Sequence, residues 1–193
     1  GAEGRIAFEN SHITGTINLK GARVDDLHLS DYHVTIDESS PAVTLLNPAE
    51  LADGYFAEFG YSAAGGSGAV PGPSTVWKNT GSGNLTPGNP LKLEWANENG
   101  VTFRRTISID DEYLFIYSDE IVNGSGQPVT VYPYGRVTRF GSPKTAGIYV
   151  LHEGMVGVFG EEGLQEYSYS DIEDDKSWKG EAGSYDGGWV GIT

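Results

Sequence analysis

His152-Glu153 sets an imidazole beside a carboxylate, two groups that would move protons on a sugar if they converged in a cleft. Adjacent residues of a strand point to opposite faces, which separates this pair, and no motif spacing ties His12, His28 or His33 to it. His152 is therefore read as structural. Calcium is the next chemistry to weigh, because Asp110-Asp111-Glu112 and the run Glu161 to Asp175 concentrate carboxylates, seven in the run with no base among them. An alternating Asp loop with a central Gly is missing, so there is no EF-hand. A solvated acidic face is expected, and Asp110 stands where a strand-to-strand turn wants it. No Gly-x-Ser-x-Gly elbow occurs, and Gly65-Gly66-Ser67-Gly68 lacks the Lys and the strand-to-helix setting of a phosphate loop. With no cysteine, thiolate catalysis, Cys-ligated zinc and disulfides drop out together. No cofactor, metal or catalytic residue is expected.

Two stretches invite a binding role. Arg105 shares strand phase with Phe103, Ile107 and Ile109, so its stem should lie on apolar surface with the head snorkelling or paired. A structural ion pair is expected there in preference to an anion site. The segment Val131 to Phe140 puts Tyr132, Tyr134, Arg136 and Phe140 on one face, a stripe that would stack on a sugar, accept an extended peptide, or pack inside a sheet. Packing is the preferred reading, because strand aromatics mostly pack.

These residues must be positioned by strands. The 193 residues carry 12 Lys plus Arg against 27 Asp plus Glu, a net charge of -15, which makes nucleic acid and an anionic bilayer face poor partners. The 28 glycines suit tight turns. Period-two alternation runs from Arg5 to Leu19, Lys20-Gly21 turns the chain, and Arg23 to Tyr32 follows. Further strands are expected at Val43–Leu46, Tyr55–Tyr61, Ser74–Lys78, Leu91–Ala96, Val101–Ile109, Tyr113–Val122, Val129–Phe140, Ile148–His152, Met155–Phe159, Leu164–Tyr169 and Trp189–Ile192. Asn97 to Gly100 reads as a hairpin turn. Both faces of Tyr113–Val122 are apolar, which places that strand in the middle of stacked sheets. Asp171–Trp178 is the one weak helix candidate. The Gly- and Pro-rich stretches 63–73 and 81–90 read as surface loops, so residues 1–193 are expected to form a single domain. No apolar run approaches the roughly 18 to 20 residues that cross a bilayer. No charged and then apolar leader opens the chain, so a signal peptide is expected to be absent or removed.

The succession Ile17-Asn18-Leu19-Lys20-Gly21-Ala22-Arg23-Val24-Asp25-Asp26-Leu27, then Val43-Thr44-Leu45-Leu46-Asn47-Pro48, then Thr102-Phe103-Arg104-Arg105-Thr106-Ile107, resembles the large first periplasmic domain of the Gram-negative insertases of the YidC/Oxa/Alb family. Tyr55-Phe56-Ala57-Glu58-Phe59-Gly60, Tyr132-Pro133-Tyr134-Gly135, Leu151-His152-Glu153-Gly154 and Gly187-Gly188-Trp189-Val190 support it in order along the whole chain. The resemblance implies an all-β fold, a β-supersandwich of mostly antiparallel stacked sheets similar to galactose-mutarotase-like domains. It implies a periplasmic domain of a bacterial inner-membrane protein, between the first and second transmembrane helices, C-terminally shortened relative to the family domain. The function it implies is to help inner-membrane proteins insert and fold, alone or beside the Sec translocon. SecD/SecF and exported or nascent membrane-protein segments are the implied partners. Insertion itself belongs to the membrane part, so no insertase residue carries over.

A non-catalytic interaction domain is accordingly the first reading. A sugar-binding or mutarotase-like module on the same fold is the alternative, and a calcium-dependent adhesion module a weaker third. The expected partner surface lies within Gly147–Lys179, where Glu161, Glu162, Glu166, Asp171, Asp174 and Asp175 would steer a basic partner.

Overall fold

The computed structural model describes residues 4–65, 68–143, 152–180 and 187–193. They form two compact units, Gly1–Phe140 and Gly141–Thr193. The first unit opens with the hairpin of β1 (Arg5–Glu9) and β2 (Ile13–Asn18), closed by Asn10, whose Oδ1 accepts from the N–H groups of His12 and Ile13, each at 2.8 Å. Gly21 and Ala22 both take positive φ in the turn to β3 (Arg23–His33), a conformation that Gly adopts without cost. β4 (Ala42–Leu46) and β5 (Tyr55–Ala63) follow, then β6 (Lys78–Asn79), β7 (Leu91–Ala96), β8 (Val101–Ile109), β9 (Phe115–Asn123) and β10 (Val131–Arg139).

Two antiparallel sheets result. One runs β1-β2-β3-β5-β10 with β4 also on β3, and the other runs β6-β7-β8-β9. Phe8, Ile13, Ile17, Val24 and Leu27 of the larger sheet are buried with Leu91, Leu93, Val101, Phe103, Ile107 and Ile109 of the smaller, forming one core that also takes in Trp77 and Leu85. Strict alternation would send Val24 and Leu27 to opposite faces. A register shift opposite Thr16 and Ile17 leaves Asp25 as an extra residue in β3, and both apolar side chains turn inward. The protein is thus an all-β sandwich, as its alternation requires.

Four expectations change. β9 is not in the middle of stacked sheets: among the described residues it pairs with β8 alone, its Phe115 and Tyr117 pack inward, and its opposite face leaves Ile116 50% exposed. Apolarity on both faces here marks an edge, not double cover. Of Ser74–Lys78 only Lys78 enters a strand, β6, because Val76 is drawn into an isolated bridge with Lys20 in the other direction. The helix starts two residues early, as α1 (Tyr169–Asp175), because Ser168 caps it. Residues 148–151 of the strand expected at Ile148–His152 lie outside the described residues, and His152 itself is not in a strand.

The second unit is a three-stranded antiparallel sheet, β12 (Gly163–Ser168), β11 (Gly154–Phe159) and β13 (Gly188–Ile192), with α1 after β12. Phe159, Tyr167 and Trp178 cluster in it, Trp178 lying 4.8 Å from Phe159 and 4.9 Å from Tyr167 between ring centroids. No helix among the described residues is long and apolar enough to cross a membrane.

Candidate functional site

Within the first unit, the edges of the two sheets bound a cleft of about 400 Å³, lined by Phe59, Gly60, Tyr61, Arg105, Tyr117, Asp119, Pro133, Tyr134 and Gly135. Hairpin register builds its floor, because Arg105 on β8 and Asp119 on β9 are directly opposed. Arg105 is 1% exposed. Its Nε donates to Asp119 Oδ1 at 2.8 Å and its Nη2 to Oδ2 at 2.7 Å, a bidentate pair, while Nη1 donates to the Phe59 carbonyl at 2.8 Å. The guanidinium also lies over the rings of Trp77 at 4.9 Å and Tyr117 at 5.4 Å. Tyr61 donates its hydroxyl to Asp119 Oδ2 at 2.6 Å. Burial, and then the neighbouring Asp119 carboxylate, push the Tyr61 phenol well above its usual range; burial does the same for Tyr117. Both phenols therefore stay neutral at physiological pH. The floor is one network: the cation is neutralised, the carboxylate accepts three hydrogen bonds and neither tyrosine is a base. Aromatic walls over a spent charge pair suit recognition better than proton transfer.

The stripe on β10 is assembled as its alternation suggests, and it is largely engaged in packing. Tyr134 lies over Gly60, where an added Cβ would fall 2.6 Å from its hydroxyl. Arg136 is paired with Glu58, which is buried and also accepts from Arg23 Nε at 3.1 Å. Phe140 meets Phe56 edge-on at 5.9 Å. Tyr132 is the most exposed of its aromatics. Arg105 forms the structural ion pair expected of it.

In the second unit Glu161, Glu162, Glu166, Asp171, Asp174 and Asp175 are all exposed. The side-chain carboxylates of five of them make no observed hydrogen bond or ion pair, but Asp171 holds α1: its Oδ2 accepts from the Ser168 N–H at 2.9 Å while Ser168 Oγ accepts from the Asp171 N–H at 3.2 Å. The Ser168 hydroxyl, which donates to Asp171 Oδ2 at 2.6 Å, and then the Ser168 N–H lower the Asp171 pKa. Among the described residues no group of His, Asp and Glu has the geometry to hold a metal ion. The Asp110-Asp111-Glu112 cluster is a turn, with Asp110 Oδ1 accepting from the N–H groups of Glu112 and Leu114, each at 2.9 Å. His152 Nε2 is 3.1 Å from the Met155 carbonyl oxygen, so its ring is tied to the start of β11 and not to Glu153.

Phe59, Tyr61, Tyr117 and Asp119 are the cleft residues that sequence reasoning missed. One signal was present: Arg105 and Asp119 stand equidistant from Glu112, the centre of the hairpin turn, so correct placement of that turn pairs them.

The first unit is thus an all-β sandwich with a cleft floored by the Arg105–Asp119 pair and the Tyr61 hydroxyl. The chain belongs to the YidC periplasmic domain family, which it matches over residues 5–193. It is similar to the membrane protein insertase YidC of Sinorhizobium medicae and to that of Rhizobium meliloti, each 52% identical over 193 residues, covering 100% of this chain and 32% of the relative. The membrane protein insertase YidC of Brucella melitensis is 48% identical over 192 residues, 98% of this chain and 31% of the relative. The chain thus spans about a third of the length of these relatives. It is a periplasmic domain of an inner-membrane insertase.

Proposed function

We propose that the chain is the non-catalytic interaction domain of an insertase that helps inner-membrane proteins enter and fold in the bilayer. The observation that carries this reading is the cleft, where Arg105, Asp119, Tyr61 and Tyr117 are consumed by one another beneath aromatic walls. The partners are SecD/SecF and the Sec translocon, met through the acidic residues of the second unit. Five exposed carboxylates without an observed partner, on a chain of net charge -15, favour a basic surface and make association fall with salt.

The test is capture of SecD/SecF by the variant Glu161→Gln, Glu162→Gln, Glu166→Gln, Asp174→Asn, Asp175→Asn, with Asp171 kept because it caps α1. Capture should weaken and lose most of its salt dependence while the melting temperature moves by no more than about 5–10 °C, the limit if five surface changes of about 0.5 kcal/mol each all add at about 2–4 °C per kcal/mol. Undiminished capture refutes the assignment of this face.

A further inference from the structure

Two Asn-Gly pairs occur in the chain, Asn99-Gly100 in the turn between β7 and β8 and Asn123-Gly124 at the end of β9. They lie side by side, Gly124 N–H donating to the Gly100 carbonyl at 3.0 Å. An asparagine before glycine is open to a reaction of its own amide, because no Cβ shields the next backbone nitrogen. The chain's other asparagines precede bulkier residues, and Pro48 and Pro90 leave Asn47 and Asn89 without a following N–H to react. Both asparagines of the Asn-Gly pairs are exposed, but the fold treats them differently. Asn123 is held at both ends of its amide: Oδ1 accepts from the Ser125 N–H at 3.0 Å and from the Ser125 hydroxyl at 2.6 Å, and Nδ2 donates to the Gln127 carbonyl at 2.8 Å. The nitrogen that would attack it is the Gly124 amide, already committed to Gly100. Asn99 has neither restraint. Its backbone N–H donates to Asn97 Oδ1 at 3.0 Å, but its side-chain amide makes no hydrogen bond among the described residues. The Gly100 N–H reaches the Asn97 carbonyl only at 3.4 Å.

We propose that Asn99 is a site of spontaneous covalent modification, deamidation through a cyclic imide, and that the fold protects Asn123 from the same reaction. The Gly100 backbone nitrogen, on losing its proton to hydroxide, bonds to Asn99 Cγ. The Cγ–Nδ2 bond breaks, and the side-chain nitrogen leaves as ammonia after taking a proton from water, which restores the hydroxide. Water then opens the imide. Cleavage at Cγ leaves aspartate; cleavage at the Asn99 main-chain carbonyl leaves isoaspartate, with the chain running on through Cγ. Either product adds a carboxylate to a chain of net charge -15. Isoaspartate also inserts an extra main-chain atom into a turn whose geometry is set by Asn97 Oδ1, which accepts from the N–H groups of Asn99 and Val101, each at 3.0 Å. Val101 is buried and the Gly100 carbonyl carries the bond from Gly124, so the change loosens the end shared by β7, β8 and β9. Neither product returns to asparagine, so the fraction converted records the age of the molecule.

The test is incubation of the folded chain at mildly acidic and mildly alkaline pH, followed by trypsin digestion and mass spectrometry. Cleavage after Lys92, Arg104, Arg105 and Arg136 puts Asn99 in the peptide 93–104 and Asn123 in the peptide 106–136. Fragmentation separates conversion at Asn99 from conversion at Asn97, and methyl transfer from S-adenosylmethionine by an isoaspartyl methyltransferase counts the isoaspartate. In the folded chain Asn99 should convert at least about tenfold faster than Asn123, which must wait for local opening. Conversion should be faster at the higher pH. In urea, where only the shared Asn-Gly sequence remains, the two rates should agree within about twofold. Equal rates in the folded chain, a faster Asn123, or an Asn99 that survives in the folded chain while urea converts it overturns the proposal. The aged chain should also melt below Asn99→Asp, which carries the added charge without the longer main chain; equal melting overturns the loosening of the turn.

Discussion

Removing the anion beneath the cleft isolates what the Arg105–Asp119 pair does. In Asp119→Asn the shape is kept, but a guanidinium that is 1% exposed loses its charge partner and one of the two carboxylate oxygens that accept from it. Removing one member of a buried pair costs about 3–5 kcal/mol. Partial solvent access at Asp119 and the surviving bond to the Phe59 carbonyl place the expected loss near the lower end, about 3 kcal/mol. At roughly 2–4 °C per kcal/mol for a chain of this size, the melting temperature should fall by about 6–12 °C. Urea unfolding followed by tryptophan fluorescence suits the measurement, because Trp77 stacks on the guanidinium itself. The double variant Arg105→Met, Asp119→Leu removes both charges together. It leaves only the Phe59 carbonyl and the Tyr61 hydroxyl to find new partners, at about 1 kcal/mol each, so it should be more stable than Asp119→Asn. A loss under about 1 kcal/mol in Asp119→Asn, or a double variant less stable than the single, would refute the claim that the charges are buried and mutually dependent.

Two further outcomes are expected. His12 pairs with Asp31 and faces Glu112 from the β8–β9 turn, and the Asp31 hydrogen bond, opposed by desolvation, raises its pKa above 6.5. A raised folded-state value means that the contribution is complete below about 6.5 and is lost as pH rises through the folded pKa; the urea midpoint should therefore decline slightly between pH 6 and pH 8.5, and His12→Gln should flatten that part of the profile. Gly15→Ala would drive a Cβ into the Asp26 carbonyl of the next strand and to 2.6 Å from Phe8 Cζ, so circular dichroism melts should show a loss of about 3 kcal/mol or an unfolded chain; a melt like that of the parent would contradict the packing of β2 on β3.

Local patterning determined most of the elements. β7 and β8 have the bounds that alternation and the Asn97–Gly100 turn dictate, because period two and turn chemistry are properties of neighbouring residues. The recurrence of family segments in order determined what kind of domain this is. Where cover or pairing came from far along the chain, the sequence was silent. The apolar outer face of β9 has the same composition whether another sheet covers it or solvent meets it, and only the sheet order shows it as an edge. Arg105 was legible as a paired strand arginine, but the Tyr61 hydroxyl that shares its carboxylate comes from 58 residues away in the other sheet. Nothing local marks Glu58 as buried; β3 and β10 bring Arg23 and Arg136 to it. Such placements follow from how two sheets twist and stack, which depends on packing of the whole core and leaves no signature in any short window.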